Sequence, residues 1–155
     1  MKPRESGSSY WIGVVSRDHV ARGVAGGFAQ LNHGKAGPLT RMQPGDGLAY
    51  YSPRTHFPDG EPLQAFTAIG RVAAGTVYES RDGGEVLFRR KVDYLPAAEA
   101  PIRPLLDDLS FIRSKTHWGA AFRFGVVRVP AEDFSRIAAA MGCDLALAFA
   151  TSVST

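Results

Sequence analysis

From Val86 to Tyr94 the chain alternates in character: Val86, Phe88, Val92 and Tyr94 fall on one set of every-second positions, broken only by Arg90, while Leu87, Arg89, Lys91 and Asp93 fall on the other. Successive side chains of a strand leave from opposite faces, so this pattern predicts a strand with one buried and one wet face. Immediately upstream, Asp82-Gly83-Gly84 is a tight-turn signal that makes this strand half of a hairpin. Near the N-terminus, Tyr10-Trp11-Ile12-Gly13-Val14-Val15 is nearly apolar throughout and stops at Ser16. That is the signature of a strand covered on both faces.

Further strands are expected over Leu48 to Ser52, within Leu63 to Tyr78, where Gly70 and Gly75 permit bulges or bending, and over Phe122 to Val129. The helices between them are short. Ser16 is placed to cap one running to about Val24, Leu39 to Met42 suits a single turn, and Ile102 to Leu109 suits a short helix begun near Pro104. Ala131 to Met141 has Phe134, Ile137, Ala138 and Met141 at helical spacing and Gly142 as its stop. Gly26 to Pro38 carries four glycines and no apolar period, so it reads as a long loop whose backbone can approach a ligand. Together these elements predict an α+β fold: a small, bent, partly open β-barrel flanked by short helices.

A chain of 155 residues, 45% hydrophobic and 21% charged, buries one good core. The expected organisation is a disordered polar lead-in over 1–9, one domain over 10–142 and a C-terminal extension over 143–155. No apolar run approaches the roughly 20 residues that cross a bilayer, and the start lacks a signal peptide's apolar stretch. The lone Cys143 cannot form an internal disulfide, and no spacing of histidines and cysteines suggests a metal, so neither cofactor nor metal is expected. A cytoplasmic protein is the expectation. The net charge is only +3, but residues 1–58 hold seven Lys and Arg against three Asp and Glu, and arginine outnumbers lysine fourteen to four. Planar arginine suits phosphate and base edges; codon composition is the alternative source of that excess.

Three aromatic groups border expected loops: Tyr10-Trp11, Tyr50-Tyr51 and Trp118. Flat rings stack on a nucleobase for roughly 1–3 kcal/mol each, whereas the alternative for any one of them is core packing. His33-Gly34-Lys35 sets an imidazole and a cation around a glycine, as would serve to hold a phosphate or a base edge; a solvated loop is the alternative. Arg89-Arg90-Lys91, with Arg17, Arg22, Lys35, Arg41 and Arg54, could form a positive rim or be scattered solubilising charges. Catalysis has little to rest on. Ser16, Ser52 and Cys143 lie in no recognisable nucleophile elbow, and the glycines of 26–37 have neither phosphate-loop nor dinucleotide spacing.

Taken in order, Tyr10-Trp11-Ile12, Ser16-Arg17-Asp18-His19-Val20, Gly27-Phe28-Ala29-Gln30, His33-Gly34-Lys35, Pro44-Gly45-Asp46 and Tyr50-Tyr51-Ser52-Pro53 resemble the EVE domain family, also called UPF0310. Ile102-Arg103-Pro104-Leu105, Leu109-Ser110-Phe111-Ile112, Trp118-Gly119 and Asp133-Phe134 extend the resemblance over about residues 10–142. It implies a PUA-like barrel related to the YTH readers of N6-methyladenine. It also implies binding of modified bases in DNA or RNA, such as methylated or hydroxymethylated cytosine, by flipping the base into a pocket, where stacking and edge contacts offset the unstacking cost.

With that resemblance and the chemistry above, Trp11 and Ser16 are expected in the pocket floor and wall. Gln30 and His33 would supply hydrogen bonds, Lys35 a phosphate or rim contact, Tyr51 and Ser52 a second wall, and Trp118 a stacking face. Arg17, Arg54, Arg89 and Lys91 would form the phosphate rim. The expected partner is nucleic acid carrying modified bases, bound without catalysis. Two alternatives stand beside it: an enzyme acting on a free modified base or nucleotide with His33 or Lys35 as acid or base, and an RNA-binding adaptor that uses the barrel surface alone.

Overall fold

A computed structural model describes residues 8–31 and 34–145. The strands are β1 (Tyr10–Val14), β2 (Phe28–Ala29), β3 (Gly47–Arg54), β4 (Pro62–Val72), β5 (Tyr78–Asp82), β6 (Glu85–Tyr94), β7 (Ala100–Pro101) and β8 (Val126–Val129). The α-helices are α1 (Arg17–Gly26), α2 (Gly37–Thr40) and α3 (Ala131–Ala140), and 3-10 turns cover Arg103–Leu105 and Trp118–Phe122. All eight strands join one sheet in the order β2-β6-β4-β3-β1-β8, with β5 added to β6 and β7 to β4.

The apolar run at 10–15 does form a strand, β1, which lies between β3 and β8. Its alternate residues serve two cores: Tyr10 and Ile12 pack with Phe66, Phe134 and Ile137, whereas Trp11 packs with Leu31, Leu39, Leu48 and Tyr50. β3 divides the same way, Ala49 and Tyr51 to the first core, Leu48 and Tyr50 to the second. The helix α3 covers the first face, and Ala29, Leu31, Leu39 and Met42 cover the second. Two register shifts between β3 and β4, at Tyr50/Tyr51 and Ser52/Arg54, bend the sheet toward a barrel. Gln64, within the second shift, has a φ of 55°, the left-handed conformation that an inserted residue in a bulge commonly takes. Gly70 allows β6 to approach β4, because a Cβ there would lie 2.6 Å from the Asp93 carbonyl oxygen. The result is a curled half-barrel of mixed strands with a few short helices, the α+β architecture expected from the sequence.

The Asp82-Gly83-Gly84 signal corresponds to the β5–β6 hairpin, in which Asp82 pairs with Glu85 and both glycines have positive φ (59° and 86°). Such a two-residue turn matches the twist of the strands it joins.

Other expectations need correction. Arg90, read as a break in the apolar face of β6, is buried at 5% exposure and donates through Nη2 to the Gly75 carbonyl at 2.9 Å, while Val86 is 41% exposed. The hairpin tip simply extends past the core that would have covered it. The 26–38 segment is not wholly loop, because Phe28 and Ala29 pair with Lys91 and Arg90. Between Ile102 and Leu109 only a 3-10 turn forms, since Ile102 and Leu109 both enter the first core without a helical stripe between them. The strand expected from Phe122 begins only at Val126; Phe122 instead closes a 3-10 turn with its ring stacked on Tyr51 at 4.4 Å. Ser16 stands at the α1 N-cap position, yet its hydroxyl donates to Asp18 Oδ1 at 2.6 Å rather than accepting from the helix amides.

Candidate functional site

The position of β1 builds the site. It lies parallel to β3 on one side and antiparallel to β8 on the other. The C-terminal end of β1 is therefore flanked by the C-terminal end of β3 and by the residues that enter β8. Backbone hydrogen bonds lock these three ends together: Val14 N–H donates to the Gly125 carbonyl at 2.8 Å, Val15 N–H to Tyr51 at 3.2 Å, and Asp18 N–H to Thr55 at 3.0 Å. Between them opens a cleft of about 490 Å³, within the size range of ligand pockets.

Among its lining residues Ser16, His19 and Gln30 supply hydrogen-bonding side chains. Lys35, Arg54 and Arg123 bring positive charge, and Phe57 and Phe124 stand at 73% and 75% exposure. Exposure on that scale leaves two large rings with most of their apolar surface in water. The Arg123 guanidinium lies over the Phe124 ring at 5.3 Å, and Arg54 donates to the Gly60 carbonyl at 2.7 Å. A second, much smaller cavity adjoins through shared walls at Val15, His19 and Gln30, and its other lining residues include Arg22, Phe28, Tyr50 and Arg89.

The polar wall is held in place from behind. Tyr50 and Tyr94 are hydrogen-bonded to each other, and the Gln30 backbone amide bonds the Tyr50 hydroxyl. Because the Tyr94 hydroxyl gives its proton to the Phe28 carbonyl at 2.8 Å, Tyr50 is the donor to Tyr94. This relay ties residues 28–30 to β3 and β6. Burial pushes the Tyr50 hydroxyl up to about 12 and the Tyr94 hydroxyl higher still, so both are neutral donors at any physiological pH. In front, the Ser16 hydroxyl holds the Asp18 carboxyl below its ordinary value, with the His19 backbone amide adding to the effect. Arg22 Nη2 contacts His19 Nδ1 at 2.6 Å. Arginine only donates, so Nδ1 accepts and the ring proton of neutral His19 sits on Nε2.

The residues singled out from the sequence are distributed unevenly around this cleft. Ser16, Gln30, Lys35 and Arg54 line it together. Arg89 lines the smaller cavity and donates to Gln30, while Lys91 is exposed on β6 opposite Phe28. Arg17 is engaged by both oxygens of Glu99. Trp11, Tyr51 and Ser52 face the interior instead. Trp11 is 6% exposed and its indole donates to Asp46 Oδ2 at 2.9 Å, and Ser52, fully buried, shares a hydrogen bond with Thr67 at 2.8 Å. Tyr51 packs among Phe66, Phe122 and the edge of Trp118, which is 6.2 Å away. Trp11 belongs to the other core, so the three rings do not meet in one cavity. His33 lies outside the described residues.

Sequence reasoning missed His19, Phe57, Arg123 and Phe124. His19 is exposed on the short helix α1, and only the apposition of α1 with residues 28–30 turns it toward a site. Phe57 carries a signal that could have served, since it is an isolated aromatic between His56 and Pro58 with no apolar period to place it in a core, whereas Phe124 alternates with Phe122 and Val126 and so reads as part of the expected strand.

Residues 9–140 match the EVE domain. The chain belongs to the EVE domain family. It is 55% identical over 132 residues to a UPF0310 protein of Mycolicibacterium vanbaalenii, which covers 84% of this chain and 91% of that one. With the UPF0310 protein YdcG of Bacillus subtilis the identity is 44% over 139 residues, 89% of this chain and 95% of that one. Two solved structures share the fold. A protein from Pseudomonas syringae superposes with a TM-score of 0.55 at 17% identity, covering 84% of this chain and 97% of that one. One from Agrobacterium tumefaciens gives 0.53 at 14%, covering 88% and 94%. The EVE domain is a PUA-like fold, a class often involved in nucleic-acid binding. Among the described residues no helix of this EVE domain is long and apolar enough to cross a membrane, and no group of three or more His, Cys, Asp or Glu could hold a metal ion.

Proposed function

We propose that this EVE domain is a non-catalytic reader that takes a single unstacked nucleobase, modified in its natural target, into the cleft at the end of β1. The observation that carries the reading is the composition of that one cleft: hydrogen-bonding side chains (Ser16, His19, Gln30), exposed rings at Phe57 and Phe124, and cations at Lys35, Arg54 and Arg123. Each part answers a different portion of a nucleotide. The rings offer stacking surface to the base or its neighbours, the polar wall offers partners to the base edge, and the cations offer partners to phosphate. A ligand that met only the cations would leave the apolar and polar walls unused. Acid-base or nucleophilic chemistry finds less support, because the Ser16 hydroxyl is bonded to a carboxylate with a lowered pKa, a poor proton acceptor.

The deciding experiment is fluorescence-anisotropy binding to short single- and double-stranded DNA and RNA. One position would carry cytosine, 5-methylcytosine, 5-hydroxymethylcytosine, adenine or N6-methyladenine. Tighter binding to one modified oligonucleotide, weakened by Phe57→Ala or Phe124→Ala, is the expected result. Equal affinity for modified and unmodified strands would remove the modification from the reading, and no affinity for any strand would overturn it.

A further inference from the structure

We infer that Arg89 is a positioning residue that fixes the hydrogen-bonding sense of Gln30, so that the cleft wall presents amide N–H donors and selects a base edge bearing an acceptor. The inference rests on the reader function proposed above. It assigns Arg89 a different task from the phosphate contact that its charge alone suggests.

A glutamine amide has one accepting and one donating end of nearly the same shape, so an unrestrained Gln30 could turn either end toward a ligand. Arg89 removes that freedom. Its Nε lies 3.0 Å from Gln30 Oε1, and a guanidinium has donors only. The end of the amide that meets Arg89 is therefore the carbonyl, and the opposite end is the NH2 group. Gln30 Nε2 makes no hydrogen bond among the described residues, and the side chain lines both the cleft and the smaller cavity behind it.

Both partners are themselves immobilised. The β2–β6 register pairs Phe28 with Lys91 and Ala29 with Arg90, and its continuation sets Gln30 opposite Arg89. The Arg89 guanidinium lies 4.0 Å from the Phe28 ring centroid, a stacked position that restricts its rotamers. On the other side, the Gln30 backbone amide is bonded to the buried Tyr50 hydroxyl. The nearby Ser16 is oriented by the same logic. Its proton goes to Asp18, which leaves hydroxyl lone pairs as the group it can offer. The cleft thus has a defined polarity, with a donor at Gln30 and an acceptor at Ser16. A base edge with the reverse arrangement meets donor against donor and acceptor against acceptor.

The test is the base selectivity of the intact protein, measured as the ratio of Kd values in a panel of oligonucleotides that differ at one position (adenine, cytosine, guanine, thymine or an abasic site). Wild type is expected to separate its best from its worst base by about tenfold, as one matched against one unmatched hydrogen bond can produce. Arg89→Ala should compress that ratio to about twofold by freeing the amide. Arg89→Lys, which keeps a donor-only group, should retain most of the selectivity. Gln30→Glu, nearly isosteric but without donors, should change the rank order of the bases.

Selectivity is the informative readout, because loss of a phosphate contact weakens all sequences alike. Thermal melts of each variant separate misfolding from these effects, and the Gln30→Glu arm remains decisive if Arg89→Ala is unstable. Wild-type selectivity retained in Arg89→Ala, no selectivity in wild type, or an abasic strand bound as tightly as the best base would each overturn the inference while leaving nucleic-acid binding intact. Absence of binding to every strand would overturn the reader function itself.

Discussion

The two ends of β1 carry similar residue types and put them to opposite uses. At the N-terminal end, Trp11 is buried, its indole is bonded to Asp46, and Arg41 and Arg128 lie over its ring at 5.6 and 5.9 Å. Asp46 is itself fully buried and also accepts from the Ser9 and Gln43 backbone amides. Aromatic, carboxylate and cations are consumed by one another there. At the C-terminal end, 490 Å³ of open cleft separates Phe57, Phe124, Lys35 and the Ser16–Gln30 wall. An aromatic beside arginines is therefore no mark of a site in itself. What distinguishes the two ends is burial: Trp11 is 6% exposed, whereas Phe57 and Phe124 keep 73% and 75% of their surface in water.

The largest expected effect lies at the closed end. Trp11→Ala removes a buried ring and strands the Asp46 carboxylate without one of its donors, and should cost about 3–5 kcal/mol in urea denaturation. A loss below about 1 kcal/mol would mean that this end is as open as the other. Next comes the tyrosine relay behind the cleft. The Tyr50 hydroxyl ordinarily titrates near 10 and is held up to about 12, so the unfolded chain loses its proton first as pH rises. Its contribution is complete below pH 10 and disappears between pH 10 and 12, a loss of about 2–3 kcal/mol. Tyr50→Phe should flatten that alkaline slope in pH-dependent denaturation.

At the open end, Phe57→Ala and Phe124→Ala should each leave stability within about 0.5 kcal/mol, since little apolar area is buried by either. Each should weaken oligonucleotide binding by about 1–3 kcal/mol if it stacks on a base. A stability loss as large as that of Trp11→Ala would place these rings in the structural class and erase the contrast. The smallest effect belongs to Arg17→Ala. Its bidentate partner Glu99 is on the surface, where solvent screens the pair, so the urea midpoint should barely shift, and oligonucleotide affinity should hardly move because the guanidinium is already committed.

Much of the fold was legible because its signals are local. The β6 alternation, the Gly83-Gly84 turn, the two-faced β1 and the α3 stripe each depend on residues close in sequence. Arg90 and Val86 departed from the pattern for a tertiary reason, namely where the core ends beneath the hairpin. The cleft was half legible. Ser16, Gln30, Lys35 and Arg54 stood out as polar or cationic residues beside loops and do line it, and the N-terminal 58 residues supply most of its wall. Trp11, Tyr51 and Ser52 face the interior instead because β1 and β3 are covered on both faces, so a side chain of either parity enters the protein, which proximity to a loop does not reveal. Arg123 and Phe124 arrive from more than a hundred residues away, through the hydrogen bond between Val14 and Gly125. Nothing local to either segment announces that meeting.

The same pairing has a temporal consequence. Trp11 lies opposite Arg128 in the β1–β8 ladder, so the chain closes a very long loop before β1 has both neighbours. During synthesis, β1 through β6 can be made and paired while one edge of β1 is still bare. The cleft acquires Arg123, Phe124 and Gly125 only when that final strand docks. A chain stopped short of β8 would lack one wall of the cleft's setting and also the α3 residues Phe134 and Ile137 that fill the first core, so completion of the cleft and completion of that core coincide.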